Sequence, residues 1–215
     1  MSKILSLFSA VIFLVACSHA PANKPQLPFF NTPDFTPHFY ESFDVAYAET
    51  IHTLPDFQFT DDHGGTFTQD SLLGKIHVAS FIFTQCGSIC PTMVENMKAL
   101  EPEFSNSDFR LVSYSVTPWI DTKEILHSYR NDRGIPSDQW KLITGNTSEI
   151  YDLARKGYFA EEDLGFTKDS TDFLHTEHLL LVDQTLRIRG IYNGTLPLEI
   201  EQLSQDIQAL RLEDL

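Results

Sequence analysis

Apolar and polar positions follow two periods along the chain. Phe57, Phe59 and Phe67 alternate with polar residues around Asp61-Asp62-His63-Gly64-Gly65, which predicts a β-hairpin closed by that turn. Turn chemistry accounts for the Asp-Asp-His cluster more readily than a metal site does. His77 to Phe83 is a nearly continuous apolar run, the mark of a strand buried on both faces. Met93, Val94, Met97 and Leu100 then recur at helical spacing, with Pro91 at the expected first helical position. The alternation continues with a strand over 109–116, a helix over 121–133 capped by Thr122 or Asp121, a strand over 140–144 and a helix over 147–156. Strands at 178–183 and 187–192, joined by a tight turn, precede a last helix with Ile200, Leu203, Ile207 and Leu210 on one face. Strands alternating with helices, then a hairpin and a closing helix, predict an α/β three-layer domain from about residue 54 to 215. That order matches a thioredoxin-like fold carrying an extra N-terminal β-hairpin.

The 53 residues before this domain follow another pattern. Lys3 is the only charge among the first sixteen, and an apolar stretch runs from Ile4 to Ala16. It is shorter than the roughly 20 residues a spanning helix needs and suits a signal-peptide core. It ends in Leu14-Val15-Ala16-Cys17, which resembles the lipobox of bacterial lipoproteins. That resemblance implies a signal peptide over 1–16, lipid on Cys17, and a protein tethered outside the cytoplasm without spanning the membrane. Residues 17–53 read as a tether, because Pro21, Pro25, Pro28, Pro33 and Pro37 break both helix and sheet. Phe29, Phe30, Phe35, Phe39, Tyr40, Phe43 and Tyr47 are too many aromatics for a solvated linker. They predict a strap lying on the domain.

Charge narrows the class of partner. The chain of 215 residues holds 15 Lys and Arg against 30 Asp and Glu, a net charge of -15. Nucleic acid is excluded as the main partner, since phosphate binding needs a basic surface. Electrostatic adhesion to anionic lipid is excluded on the same ground.

Three cysteines are too few for a disulfide scaffold, and with Cys17 assigned to lipid two remain. Cys86 and Cys90 lie in Phe83-Thr84-Gln85-Cys86-Gly87-Ser88-Ile89-Cys90-Pro91, where the buried strand gives way to a helix. A helix N-terminus stabilises thiolates through its free N–H groups and dipole. A static disulfide here would close a very small loop and stabilise little. Redox exchange and metal ligation remain. Two thiolates favour soft ions such as Cu(I) or Zn(II), and a trigonal or tetrahedral site needs a further ligand. Leu174-His175-Thr176-Glu177-His178 offers two histidines just before a buried strand. In a thioredoxin-like fold that loop faces the cysteine loop. Redox members of the fold usually carry a cis-proline there, and this segment has no proline.

Together these segments resemble the Sco/SenC family of copper-binding, thioredoxin-fold assembly proteins. The family's cysteine pair, separated by three residues and followed by proline after a Phe-Thr strand end, is matched by Phe83 to Pro91. Its distal histidine is matched by His175, six to eight positions before Leu181-Val182-Asp183. Ser115-Val116-Thr117-Pro118 with Asp121-Thr122, and Trp140 to Gly145, are similar to further family segments. The likeness covers roughly residues 54–213. It departs at Gly87, where proline is frequent, at Thr117, where aspartate is usual, at Leu174, and at Gln184-Thr185-Leu186, which replaces a Pro-Asp-Gly turn.

The resemblance implies copper, as Cu(I), Cu(II) or both, held by Cys86, Cys90 and His175. Asp121 and His178 would be neighbours of the site. In an extended segment His178 falls on the opposite face from His175. The implied role is a metallochaperone, delivering copper to, or preparing the thiols of, the dinuclear copper site in a subunit of a terminal oxidase. A thiol reductant would keep the pair reduced, and a lipid anchor would hold the protein on a bacterial membrane, facing the periplasm or cell exterior. The competing class is a thiol–disulfide oxidoreductase in which Cys86 and Cys90 are the catalytic pair. A copper- or redox-sensing module is a third.

Overall fold

The computed structural model describes residues 26–48, 51–101, 107–135, 137–160 and 176–213. Cys17 and the signal peptide, together with His175, lie outside them. The framework is a seven-stranded sheet. Its strands are β3 (Gln58–Asp61), β4 (Thr66–Thr68), β5 (Ile76–Ile82), β6 (Phe109–Ser115), β7 (Trp140–Thr144), β8 (His178–Val182) and β9 (Ile188–Asn193), in the order β4-β3-β7-β6-β5-β8-β9. β5, β6 and β7 run parallel and every other neighbour is antiparallel. All seven residues of β5 are buried, as its unbroken apolar run requires of a central strand.

Alternation along the strands sorts side chains to two faces. Val78 and Ile82 of β5, Leu111 of β6 and Leu179 and Leu181 of β8 pack against three helices: α2 (Ile89–Lys98), α3 (Lys123–Arg133) and α5 (Pro197–Leu212). Ala79 and Phe81 of β5, Tyr114 of β6 and Leu180 of β8 face α4 (Thr147–Asp152) and the π-turn Leu153–Gly157 after it. Phe59 and Phe67 of the β3–β4 hairpin close that second layer. The result is the three-layer thioredoxin-like arrangement with the added hairpin. α3 has sharp ends. The Thr122 hydroxyl caps it by accepting from Ile125 N–H, and Gly134, at φ +60, closes it in the left-handed region.

The proline-rich segment carries structure of its own. It holds the pair β1 (Phe29–Phe30) and β2 (Pro37–His38) and a short helix α1 (Phe43–Ala48). Phe29, Tyr40, Phe43, Ala46 and Ile51 form a separate buried cluster. Arg189 of β9, fully buried, ties this strap to the domain. It donates to the carbonyls of Pro28 and Leu27 and pairs with Asp183 and Glu213. Its guanidinium lies 4.0 Å from the Phe29 ring centroid. No helix among the described residues is long and apolar enough to cross a membrane.

Candidate metal centre

The cysteines sit where β5 ends and α2 begins, at the C-terminal edge of the parallel strands. A turn closed by Cys86 N–H donating to the Phe83 carbonyl at 3.0 Å leaves Cys86 half-buried. Cys90 is the second residue of α2 and is buried. α2 starts at Ile89, so Pro91 is its third residue rather than its first. Ser88, in the capping position, makes no side-chain cap. The Cys86 sulfur fills that place.

Both thiols are free, and their surroundings give them unequal acidities. Partial burial works against ionisation of Cys86, but the opposing interactions win. The N–H groups of Cys90, Ser88 and Ile89 and the Cys90 thiol all donate to its sulfur, and its pKa falls below the ordinary thiol value. Burial pushes the Cys90 thiol up to about 12. The Phe83 N–H opposes this rise, while donation to Cys86 and the negative charge there add to it. The pair is therefore one acidified thiol hydrogen-bonded to one reluctant thiol. Tyr129 of α3 belongs to the same neighbourhood. Burial raises its hydroxyl to about 12, against the pull of Arg133, and the charges of Cys90 and Cys86 add to the rise.

Asp121 holds the cysteine loop in place. Its carboxylate is wholly buried and accepts from Thr84 N–H at 3.3 Å, from the Thr84 hydroxyl, from Ser115 Oγ at 2.6 Å and from Thr117 Oγ1 at 2.9 Å. The loop after β5 and the end of β6 thus converge on one anion. Thr117 serves here as a donor to Asp121.

The start of β8 reaches the same edge of the sheet, because β8 runs antiparallel to β5 with Ala79 opposite Leu180. Gly194 stitches this entry to α2: its N–H donates to the Glu177 carbonyl at 2.8 Å, and its carbonyl accepts from Asn96 of α2 at 2.8 Å. His178 shares its face with Leu180, on the side away from α2. Its Nδ1 lies 3.3 Å from the Ala160 carbonyl, and its ring meets Phe35 edge-on at 5.3 Å. Cys86, Cys90 and Asp121 are thus brought together, while His178 is turned to the other layer. Two neighbours escaped the sequence reading, Thr84 and Tyr129. The only sequence signal for Tyr129 is its helical spacing from Leu126, which marks a core position and says nothing of thiols.

The SCO1/SenC family profile matches residues 45–211. The SCO1 protein homolog of Bacillus subtilis is 29% identical over 161 residues, spanning 74% of this chain and 82% of that protein. A SCO1/SenC family lipoprotein from Bacillus anthracis has the same fold at TM-score 0.65 and 28% identity, covering 74% of this chain and 95% of that one. BsSco, described as a member of the Sco family of cytochrome c oxidase assembly proteins with a disulfide switch, matches at TM-score 0.63 and 28% identity, covering 75% and 95%. With its cysteine pair at the head of α2 and a family match across the whole thioredoxin-like unit, the chain belongs to the SCO1/SenC family.

Proposed function

We propose that this chain is an extracytoplasmic copper chaperone that assists assembly of the dinuclear copper site of a terminal oxidase. Copper is its cargo, held by the sulfurs of Cys86 and Cys90 and an imidazole nitrogen of His175. The observation that carries the reading is the paired state of the thiols. Cys86, the more acidic and more accessible thiol, supplies the first sulfur, and Cys90 supplies the second when the incoming cation displaces its proton. Two soft sulfur donors select Cu(I), and an added imidazole makes room for Cu(II) as well. Asp121 positions the loop by gripping Thr84 and does not touch the metal.

The anchor is lipid on Cys17, with residues 17–53 as tether and strap and 54–215 as the copper-binding domain. The relative from Bacillus anthracis, itself named a lipoprotein, supports a membrane-held protein. We place it on the outer side of a bacterial membrane, where its client is the copper-site subunit of the oxidase. Exchange with a partner disulfide would oxidise Cys86 and Cys90 to a disulfide, pass two electrons and two protons to the partner's two sulfurs, and remove both ligands. A thiol reductant must return those electrons before copper binds again.

One observation favours a second reading. An acidified, more accessible thiol beside a buried one is also the arrangement of a thiol–disulfide oxidoreductase, with Cys86 attacking and Cys90 resolving, and the disulfide switch named for BsSco is in keeping with it. Competition for Cu(I) between the reduced full chain and a colorimetric chelator, set beside turnover of a disulfide substrate, separates the two. Tight 1:1 copper binding with negligible turnover is expected. Sustained disulfide turnover with weak copper binding would reverse the assignment.

A further inference from the structure

Away from the cysteine loop, the β3–β4 turn and the outer face of α3 bring a second set of ligand atoms together. Asp61 alone performs the turn chemistry: its Oδ1 accepts the N–H groups of His63 at 3.1 Å and Gly65 at 2.7 Å, and Lys141 pairs with its Oδ2. Asp62 is left for another task. Its carboxylate is completely buried, yet Oδ2 lies 3.7 Å from His63 Nε2 and 3.9 Å from His127 Nδ1. The two imidazoles meet edge-on, with centroids 5.3 Å apart. All three ligand atoms lie within 4.8 Å of one another. They line a cleft of about 320 Å³ together with Lys123 and Glu124, and the Asp138 carboxylate stands 3.5 Å from His63 Nε2.

We propose that Asp62, His63 and His127 form a second metal site, for a divalent cation of borderline softness, Zn(II) or Cu(II). It goes beyond the copper-chaperone reading and shares no residue with the cysteine site. His127 and Tyr129 are two positions apart on α3, so they point to widely separated sides of the helix. Tyr129 faces the thiols and His127 faces the hairpin.

The geometry suits such an ion. Ligand atoms about 2.1 Å from a tetrahedral Zn(II) lie about 3.4 Å from each other. The two histidine-to-Asp62 separations exceed that by a few tenths of an ångström, within reach of a small rotation of half-exposed rings. The carboxylate is already fixed. Arg130 Nε donates to Asp62 Oδ2 at 2.5 Å, and Arg130 Nη2 and Leu142 N–H donate to Oδ1 at 3.1 and 3.3 Å. Arg130 is itself held by the carbonyls of Ser137 and Trp140. A carboxylate oxygen accepts two bonds, so Oδ2 keeps one lone pair toward the histidines. Oriented carboxylates of this kind are the usual support of histidine-rich metal sites. Asp138, exposed and near His63 alone, stands outside this three-residue set, and two imidazoles with a carboxylate select Zn(II) or Cu(II) over Cu(I) or Mg(II). Of the charges around the cleft, Asp62, Asp138 and Glu124 outnumber Arg130 and Lys123.

The test uses the full chain with Cys86→Ser and Cys90→Ser, which removes the sulfur site. Zn(II) alone is titrated calorimetrically, and Cu(II) alone is followed by electron paramagnetic resonance. One equivalent of bound cation is expected, with affinity lowered about tenfold or more by His63→Ala and by His127→Ala and unchanged by His38→Ala. The side chains of His63 and His127 are 41% and 48% exposed, so both variants should fold, as circular dichroism will verify. Absence of stoichiometric binding overturns the proposal. So does binding that both histidine variants leave within twofold of the parent.

Discussion

Alkylation of the reduced chain tests the unequal thiols directly. At pH 8, a thiol pushed up to about 12, as Cys90 is, is ionised in about one molecule in 10,000. Cys86 lies below 9.0 and is ionised in more than about one molecule in 11. The thiolate populations therefore differ by about 1,000-fold or more. The weaker base is the weaker nucleophile, and a Brønsted slope of about 0.4–0.5 takes back part of this difference. A preference for Cys86 of roughly tenfold or more remains, and burial of Cys90 can only enlarge it. The assay is limiting iodoacetamide on the reduced full chain, acid quench, and tandem mass spectrometry to locate the first adduct. Cys86 should take it almost exclusively. Equal labelling, or labelling of Cys90 first, would show that the helix N-terminus does not stabilise the outer thiolate.

Three further outcomes follow from particular contacts. Asp121→Ala strips the acceptor from three hydroxyl groups and one N–H in a buried setting and should lower unfolding free energy by about 3 kcal/mol in denaturant melts; unchanged stability would make the cluster incidental. Burial holds His77 down to about 3 beside Tyr158, against an ordinary value of 6.5. The unfolded chain thus takes up a proton below pH 6.5 that the native ring refuses until about pH 3. Stability should fall by up to about 1.4 kcal/mol per pH unit as pH drops through that window, and His77→Gln should flatten the slope; identical slopes would refute this. Cys17→Ala should abolish lipid attachment and processing while the domain still folds; an unmodified mature protein carrying native Cys17 would remove the anchor.

Periodicity made the sheet and its helices legible, since burial on both faces of β5 and one-sided burial of α5 leave plain patterns in the chain. Boundaries were less so. Pro91 marks a helix start by its fixed φ, but α2 opens two residues earlier because a sulfur, absent from any side-chain capping rule, receives its first N–H groups. Helix α1 lies beyond the last tether proline, Pro37, and is too short to hold by itself; it packs with Phe29 and Tyr40 in a small cluster that brings together residues distant in sequence. At the turn replacing Pro-Asp-Gly, Leu186 adopts φ +66, a glycine-like conformation, and it does so with its side chain buried in the core. The cysteine pair was legible because its spacing is local. The Asp121 cluster was not, because Thr84 meets it from 37 residues away. The division of labour between Asp61 and Asp62 was likewise hidden, since only tertiary structure brings Arg130 and His127 to the second of two identical side chains.

X-ray absorption at the copper edge of the Cu(I)-loaded full chain bears most directly on the central claim. Two sulfur scatterers and one imidazole nitrogen are expected. The imidazole signal should disappear in His175→Ala and survive in His178→Ala, whose ring is turned toward Ala160 and Phe35. A shell of nitrogen and oxygen alone, or an imidazole that departs with His178, would contradict the assignment of Cys86, Cys90 and His175 as the copper ligands.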